Sequence, residues 1–321
     1  MAVVEQVLKA PFPYAGGKSR VAREVWARLG DVRVYVEPFA GSLAVLLARP
    51  HEPNIETVND LDGFIANFWR ALQHDPDGVA QYADYPVSEL DLHARHQWLV
   101  NQHDFIETMR SDPDFYDVKI AGWWVWGISL WIGDGWCRNG YSKQLPHLGN
   151  EGRGVHRKLP HLSNAGQGVH RQLPHLGDAG AGLVEYMQAL AHRLRRVRVC
   201  CGDWKRVCGF SGTTHIGLTG VFLDPPYGKT SGRKDGGYAA ETHDVTGECY
   251  EWCVANQDNP KMRIALCGFE GEYDLPGWEC FAWKRPGGYA SRNKNGNPNK
   301  TRERIWFSPY CIKDGGLFDD N

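Results

Sequence analysis

A chain of 321 residues, 42% hydrophobic and 23% charged, has the composition of an ordinary globular protein with room for one large domain or two modest ones. Its net charge of −2 excludes a generally polycationic surface, so any polyanion must be held by local basic patches. No stretch of about 18 apolar residues is present to suggest a membrane span, and nine scattered cysteines without a CxxC pair argue against a disulfide framework or a zinc site.

The N-terminal MAVVEQVLKAPFPYAGGK lacks a basic segment followed by an apolar one, so no signal peptide is expected and the chain is expected to be cytoplasmic. Within it, Phe12-Pro-Tyr-Ala-Gly-Gly-Lys18 is a flexible loop with one cation, without the GxxxxGK spacing of a phosphate loop. Tyr14 and Lys18 suit an adenosyl ring and a carboxylate, respectively. Val32-Arg-Val-Tyr-Val-Glu37 reads as a buried strand and 42–48 as the helix after it. The turn between them, Val36-Glu-Pro-Phe-Ala-Gly-Ser42, has Gly41 for close backbone approach and a Gly-Ser pair suited to a helix start. It carries no GxGxxG, and an ordinary strand-to-helix turn accounts for it equally well. Glu56-Thr-Val-Asn-Asp60 reads as a second strand, followed by a helix over 61–72 with Ile65, Phe68, Trp69 and Leu72 on one face. Asp60 stands where an acid can accept from ribose hydroxyls, or cap the helix that follows. Strand–helix–strand–helix predicts a parallel sheet covered by helices.

The character changes over 76–184. Trp123, Trp124, Trp126, Trp131 and Trp136 crowd one segment, at a spacing that favours core over base stacking. A 14-residue repeat follows over about 145–183, in copies starting at Leu145, Leu159 and Leu173. Its five histidines are spaced nine and five apart, which suits no standard metal site. A turn-rich flap with Arg153, Arg157, Lys158 and Arg171 and a disordered insert are the other two readings.

From Leu183 the α/β pattern returns, with strands at 197–201, 221–224 and 263–267 and a hairpin-like pair at 278–283 and 304–307. Phe222-Leu-Asp-Pro-Pro-Tyr-Gly228 is a rigid extended exit from a strand, because two prolines forbid helix and remove two donors. It displays Asp224, Pro225 and Tyr227 in fixed directions. Lys229, Arg233 and Lys234 follow among glycines as a mobile lid or a plain surface loop, and Arg292, Lys294 and Lys300 belong to a basic connection between the last two strands.

FPYAGGK, EPFAGS, ND, a long insert and DPPY, in that order, resemble the Dam-type DNA adenine-N6 methyltransferases in their alpha arrangement, over roughly 200 of the 321 residues. The resemblance implies a doubly wound α/β, Rossmann-like class I methyltransferase sheet, mostly parallel with an antiparallel edge strand. Residues 1–75 and 185–321 would form the catalytic domain and 76–184 an inserted target-recognition domain. It implies methyl transfer from S-adenosylmethionine to adenine N6 in double-stranded DNA, with the base flipped out, giving S-adenosylhomocysteine. Tyr14, Lys18, Phe39, Gly41, Asp60, Asp203 and Asp224 would bind the cofactor, and Asp224, Pro225 and Tyr227 would form the catalytic pocket. Lys229, Arg233, Lys234, Arg292, Lys294 and Lys300 would meet DNA, and no metal is implied. A monomer or weak dimer in a bacterial or phage-infected cell, with or without a restriction partner, is the expected setting. The alternatives are an RNA adenine-N6 or DNA cytosine-N4 methyltransferase, or a non-catalytic DNA-binding relative. Leu43 departs from the resemblance, since many relatives carry glycine there.

Overall fold

The computed structural model describes residues 8–14, 16–102, 104–131, 136–137, 182–209, 216–226, 245–283 and 302–313. The strands are β1 (Val34–Glu37), β2 (Ile55–Asp60), β3 (Val197–Cys201), β4 (Thr219–Leu223), β5 (Met262–Phe269), β6 (Glu279–Ala282) and β7 (Glu303–Phe307). The helices are α1 (Ala22–Leu29), α2 (Ala44–Leu47), α3 (Gly63–His74), α4 (Pro76–Ala83), α5 (Glu89–Val100), α6 (Phe105–Ser111), α7 (Val118–Leu130), α8 (Leu183–Leu194), α9 (Lys205–Cys208) and α10 (Val245–Asn256).

The seven-stranded sheet has the order β3-β2-β1-β4-β5-β7-β6. Pairs β1–β2, β1–β4 and β4–β5 are parallel, and β7 runs antiparallel to both β5 and β6. The antiparallel strand thus lies one place inside the edge. This mixed, mostly parallel α/β sheet is consistent with the methyltransferase fold. Every residue of β1 and β4 is buried, as parallel strands covered on both faces require, so these strands read as continuous apolar runs.

By internal packing the described residues fall into two units, one drawn from 1–19, 41–48 and 62–201, the other from 20–40, 49–61 and 202–321. In the second unit, polar side chains are buried along β1 and β2. The Tyr35 hydroxyl donates to Glu37 Oε2 at 2.9 Å, and burial, reinforced by that carboxylate, pushes the phenol well above its ordinary range. Arg49 pairs with the equally buried Glu56 at 3.1 Å, donates to the Val32 carbonyl at 2.6 Å and lies 5.2 Å from the Trp26 ring centre.

Apart from β3, the described residues of the first unit form helices and their connections, and four of these helices begin on a side-chain cap. Asp62 accepts from Phe64 N at 2.8 Å, Asp75 from Gly78 N, Ser88 from Asp91 N and Asp117 from Ile120 N. Asn67 on α3 exchanges two hydrogen bonds with the backbone of Asp117, tying α3 to the start of α7. Of the tryptophan cluster, Trp124, Trp126 and Trp136 are buried, the core reading of the sequence. Phe12 sits edge-on to Trp124 at 5.0 Å and to Phe68 at 5.5 Å, anchoring the segment that leads to Tyr14. Arg95 is sandwiched between Tyr85 and Trp126, at 4.0 and 4.1 Å from the ring centres. The repeat, up to residue 181, lies outside the described residues.

His96 stacks on Trp131 at 4.9 Å and accepts a hydrogen bond from Cys137 N at 3.3 Å, which requires a neutral ring. Burial, and secondarily His93, lowers its pKa from 6.5 to about 4. The unfolded chain therefore binds a proton near pH 6.5 that the folded chain refuses until about pH 4, so this contribution to stability is full above pH 6.5 and shrinks as the pH falls. Denaturant unfolding from pH 7 to 4 should show a loss of up to about 3 kcal/mol from this group, and His96→Gln should flatten that part of the profile.

Candidate functional site

In the first unit, Tyr14 opens a tight turn whose carbonyl accepts from Gly17 N at 3.0 Å. Lys18 is buried and its Nζ donates to the Gly16 carbonyl at 2.7 Å, so the ammonium is folded onto its own loop. Gly41 has φ +45°, and a methyl group on its Cα would stand 2.6 Å from Tyr14 Cδ1. The Tyr14 ring therefore lies against a bare backbone that only glycine supplies. The Gly41 carbonyl accepts from Trp69 Nε1 at 3.0 Å, a contact the sequence did not signal.

Leu43 precedes α2 with φ 55° and ψ 29°, the left-handed region, and makes no side-chain cap. Ser42, expected to help start the helix, is buried one place before it. The backbone at 43 thus keeps the conformation that glycine takes most readily, while the leucine side chain is fully buried.

In the second unit, parallel pairing brings three sequence-predicted residues to the same edge of the sheet. The ladder pairs Glu37 with Val58 and Val36 with Val221, and past β1, where the chain bends at Pro38 and Phe39, the Ala40 N donates to the Asn59 carbonyl at 2.8 Å, one residue later than the ladder offset would set it. Phe39 lies two residues past the end of β1, Asp60 is the last residue of β2, and Asp224 directly follows β4. All three stand at the carboxyl ends of neighbouring strands, where the strand order reverses between β1 and β4, the usual ligand crevice of an open α/β sheet. The helix-cap alternative for Asp60 is corrected here, because Asp62 caps α3.

Asp203 is exposed, and its Oδ1 accepts from Lys205 N at 2.8 Å, which fixes the turn into α9. Beside it, the Trp204 ring lies 6.1 Å from Phe39, tilted by 34°, and 6.2 Å from Trp252, edge-on. Carboxylates next to an aromatic wall can take hydroxyl or amine donors together with a flat ring. Asp224 is half-buried and Pro225 buried, and the Pro226 carbonyl accepts from Thr246 Oγ1 of α10 at 2.7 Å. Thr246 was missed because nothing local in the sequence links it to a proline twenty residues earlier. Tyr227, Lys229, Arg233, Lys234, Arg292, Lys294 and Lys300 lie outside the described residues.

Leu43→Gly separates the two effects at that position. Relief of the left-handed backbone is worth about 1 kcal/mol, and loss of a fully buried leucine costs about 3–5 kcal/mol. The variant should be less stable by about 2–4 kcal/mol in urea unfolding, whereas a gain in stability would show that strain dominates.

Residues 14–118 match the sequence model of the D12 class N6 adenine-specific DNA methyltransferases, a span that holds Tyr14, Lys18, Phe39, Gly41 and Asp60 and ends before Asp224. No curated protein matches the chain. The match covers about a third of the chain, and over that span the chain is similar to the D12 class N6 adenine-specific DNA methyltransferases.

Proposed function

We propose that this chain is an adenine-specific DNA methyltransferase that takes its methyl group from S-adenosylmethionine and acts on an adenine flipped out of double-stranded DNA, releasing S-adenosylhomocysteine. The observation that carries the reading is the gathering of Phe39, Asp60 and Asp224 at the carboxyl ends of three adjacent parallel strands, with Trp204, next to Asp203, against Phe39. A nucleoside-bearing donor fits that chemistry. Asp60 takes the ribose hydroxyls, Asp203 the amine edge of the adenine, and Phe39 with Trp204 offers the apolar wall. For Tyr14, Lys18 and Gly41 a role in cofactor binding is likewise proposed, with Lys18 for a carboxylate. When bound, S-adenosylmethionine supplies an electrophilic methyl group on a sulfonium.

The substrate amine is held by the chain's own groups. The Asp224 carboxylate and the Pro225 carbonyl accept the two N6–H bonds, which draws the nitrogen toward sp3 geometry and frees its lone pair. Tyr227 stacks on the extruded ring, worth about 1–3 kcal/mol against an unstacking cost of a few kcal/mol. Positioning supplies the rest, with no covalent enzyme intermediate.

Residues 76–184 are proposed to recognise the target sequence. The basic residues Arg292, Lys294 and Lys300 are assigned to DNA phosphates, as are Lys229, Arg233 and Lys234. In support, Phe269 pairs with Glu303 and Ala282 with Arg304, so the connection from β6 to β7 leaves from and returns to the carboxyl edge of β5.

Asp224→Ala should reduce methyl incorporation into unmethylated DNA by at least about a thousandfold with cofactor affinity largely retained, and a near-normal rate would remove Asp224 from catalysis. Digestion of the wild-type product to nucleosides should yield N6-methyladenine, and N4-methylcytosine would overturn the substrate assignment. Thr246→Val frees the Pro226 carbonyl, and kcat should fall about fivefold with little change in cofactor KM.

A further inference from the structure

We propose that Asn59 is a positioning residue for the methyl donor, acting as a two-donor staple between the turns that carry Phe39 and Asp203. The inference rests on the reading that those turns hold S-adenosylmethionine.

Asn59 is the penultimate residue of β2 and is 1% exposed. Its Nδ2 donates to the Pro38 carbonyl at 3.0 Å and to the Gly202 carbonyl at 2.9 Å. Pro38 immediately precedes Phe39, and Gly202 immediately precedes Asp203. Main-chain bonds complete the brace, from Ala40 N to the Asn59 carbonyl at 2.8 Å and from Gly202 N to the Asp60 carbonyl at 3.1 Å. One side chain thereby joins two turns, one 21 residues before it and the other 143 residues after it.

The chemistry selects an amide. Two carbonyl oxygens converge on one buried point, and a short neutral group with two N–H donors is needed to satisfy both. The orientation is fixed by the same fact, since a flipped amide would set three oxygens against one another. Among the described residues Oδ1 finds no hydrogen-bond partner. An acceptor left unsatisfied inside the protein is unfavourable, so the site keeps asparagine for its donating half. Asn59 touches neither substrate nor reacting atoms in this reading. It fixes where Phe39, Asp60 and Asp203 stand.

Two variants separate hydrogen bonding from packing. Asn59→Leu keeps the shape and loses both donors, and Asn59→Ser loses volume and keeps one. Kd for S-adenosylmethionine is measured by calorimetry on the full chain, with kcat at saturating cofactor and folding by circular dichroism. The expected result is a Kd raised about tenfold or more in Asn59→Leu and by less in Asn59→Ser, with kcat changed less than about threefold. Larger damage in Asn59→Ser than in Asn59→Leu would assign the residue to packing and overturn the proposal. So would folded variants with unchanged Kd, or failure of both to fold with cofactor present. If the wild-type chain bound no S-adenosylmethionine, the underlying reading would fall instead.

Discussion

Parallel strands pair at a constant offset, and on that constraint the arrangement at the carboxyl edge depends. Phe39, Asp60 and Asp224 lie at or just past the ends of three strands and are separated in sequence by 21 and 164 residues, yet reach one edge of the sheet because β2, β1 and β4 keep step. A slip of one residue would carry each side chain to the opposite face. Such a slip is resisted here by burial, since every position of β1 and β4 is enclosed and no face can be turned to water.

The polar groups under the first turn add a second restraint. Arg49 and Glu56 form an ion pair whose side chains are 1% and 2% exposed. A buried pair of this kind adds little net stability over an apolar replacement, but removal of either member strands a charge in the interior. Tyr35 and Glu37 repeat the pattern one strand over, with a phenol held neutral beside a carboxylate. The strand that leads to Phe39 is therefore bound by interactions that tolerate little displacement.

Much of this was legible in the residues. The strands were visible as short apolar runs, and Asp224-Pro225 as a rigid exit, because periodicity and proline geometry are local properties. The antiparallel strand was expected at the edge, but local pattern does not encode lateral order, and β7 lies between β5 and β6. Asp60 and Asp62 offered competing caps two residues apart, and the difference is only where the helical backbone begins. Leu43 stood out only as a departure from the resemblance, because a left-handed backbone leaves no trace in a leucine itself. Asn59, Trp69 and Thr246 escaped for one common reason: each acts on a carbonyl distant in sequence, and every residue type but proline presents the same carbonyl.

The division into two units bears on how such a protein can change over time. The chain passes from one unit to the other between 19 and 20, 40 and 41, 48 and 49, 61 and 62, and 201 and 202. One passage falls within EPFAGS, another directly after Asn59-Asp60-Leu61, and the last separates Cys201 from Gly202. No single genetic crossover can therefore hand either unit intact to a relative.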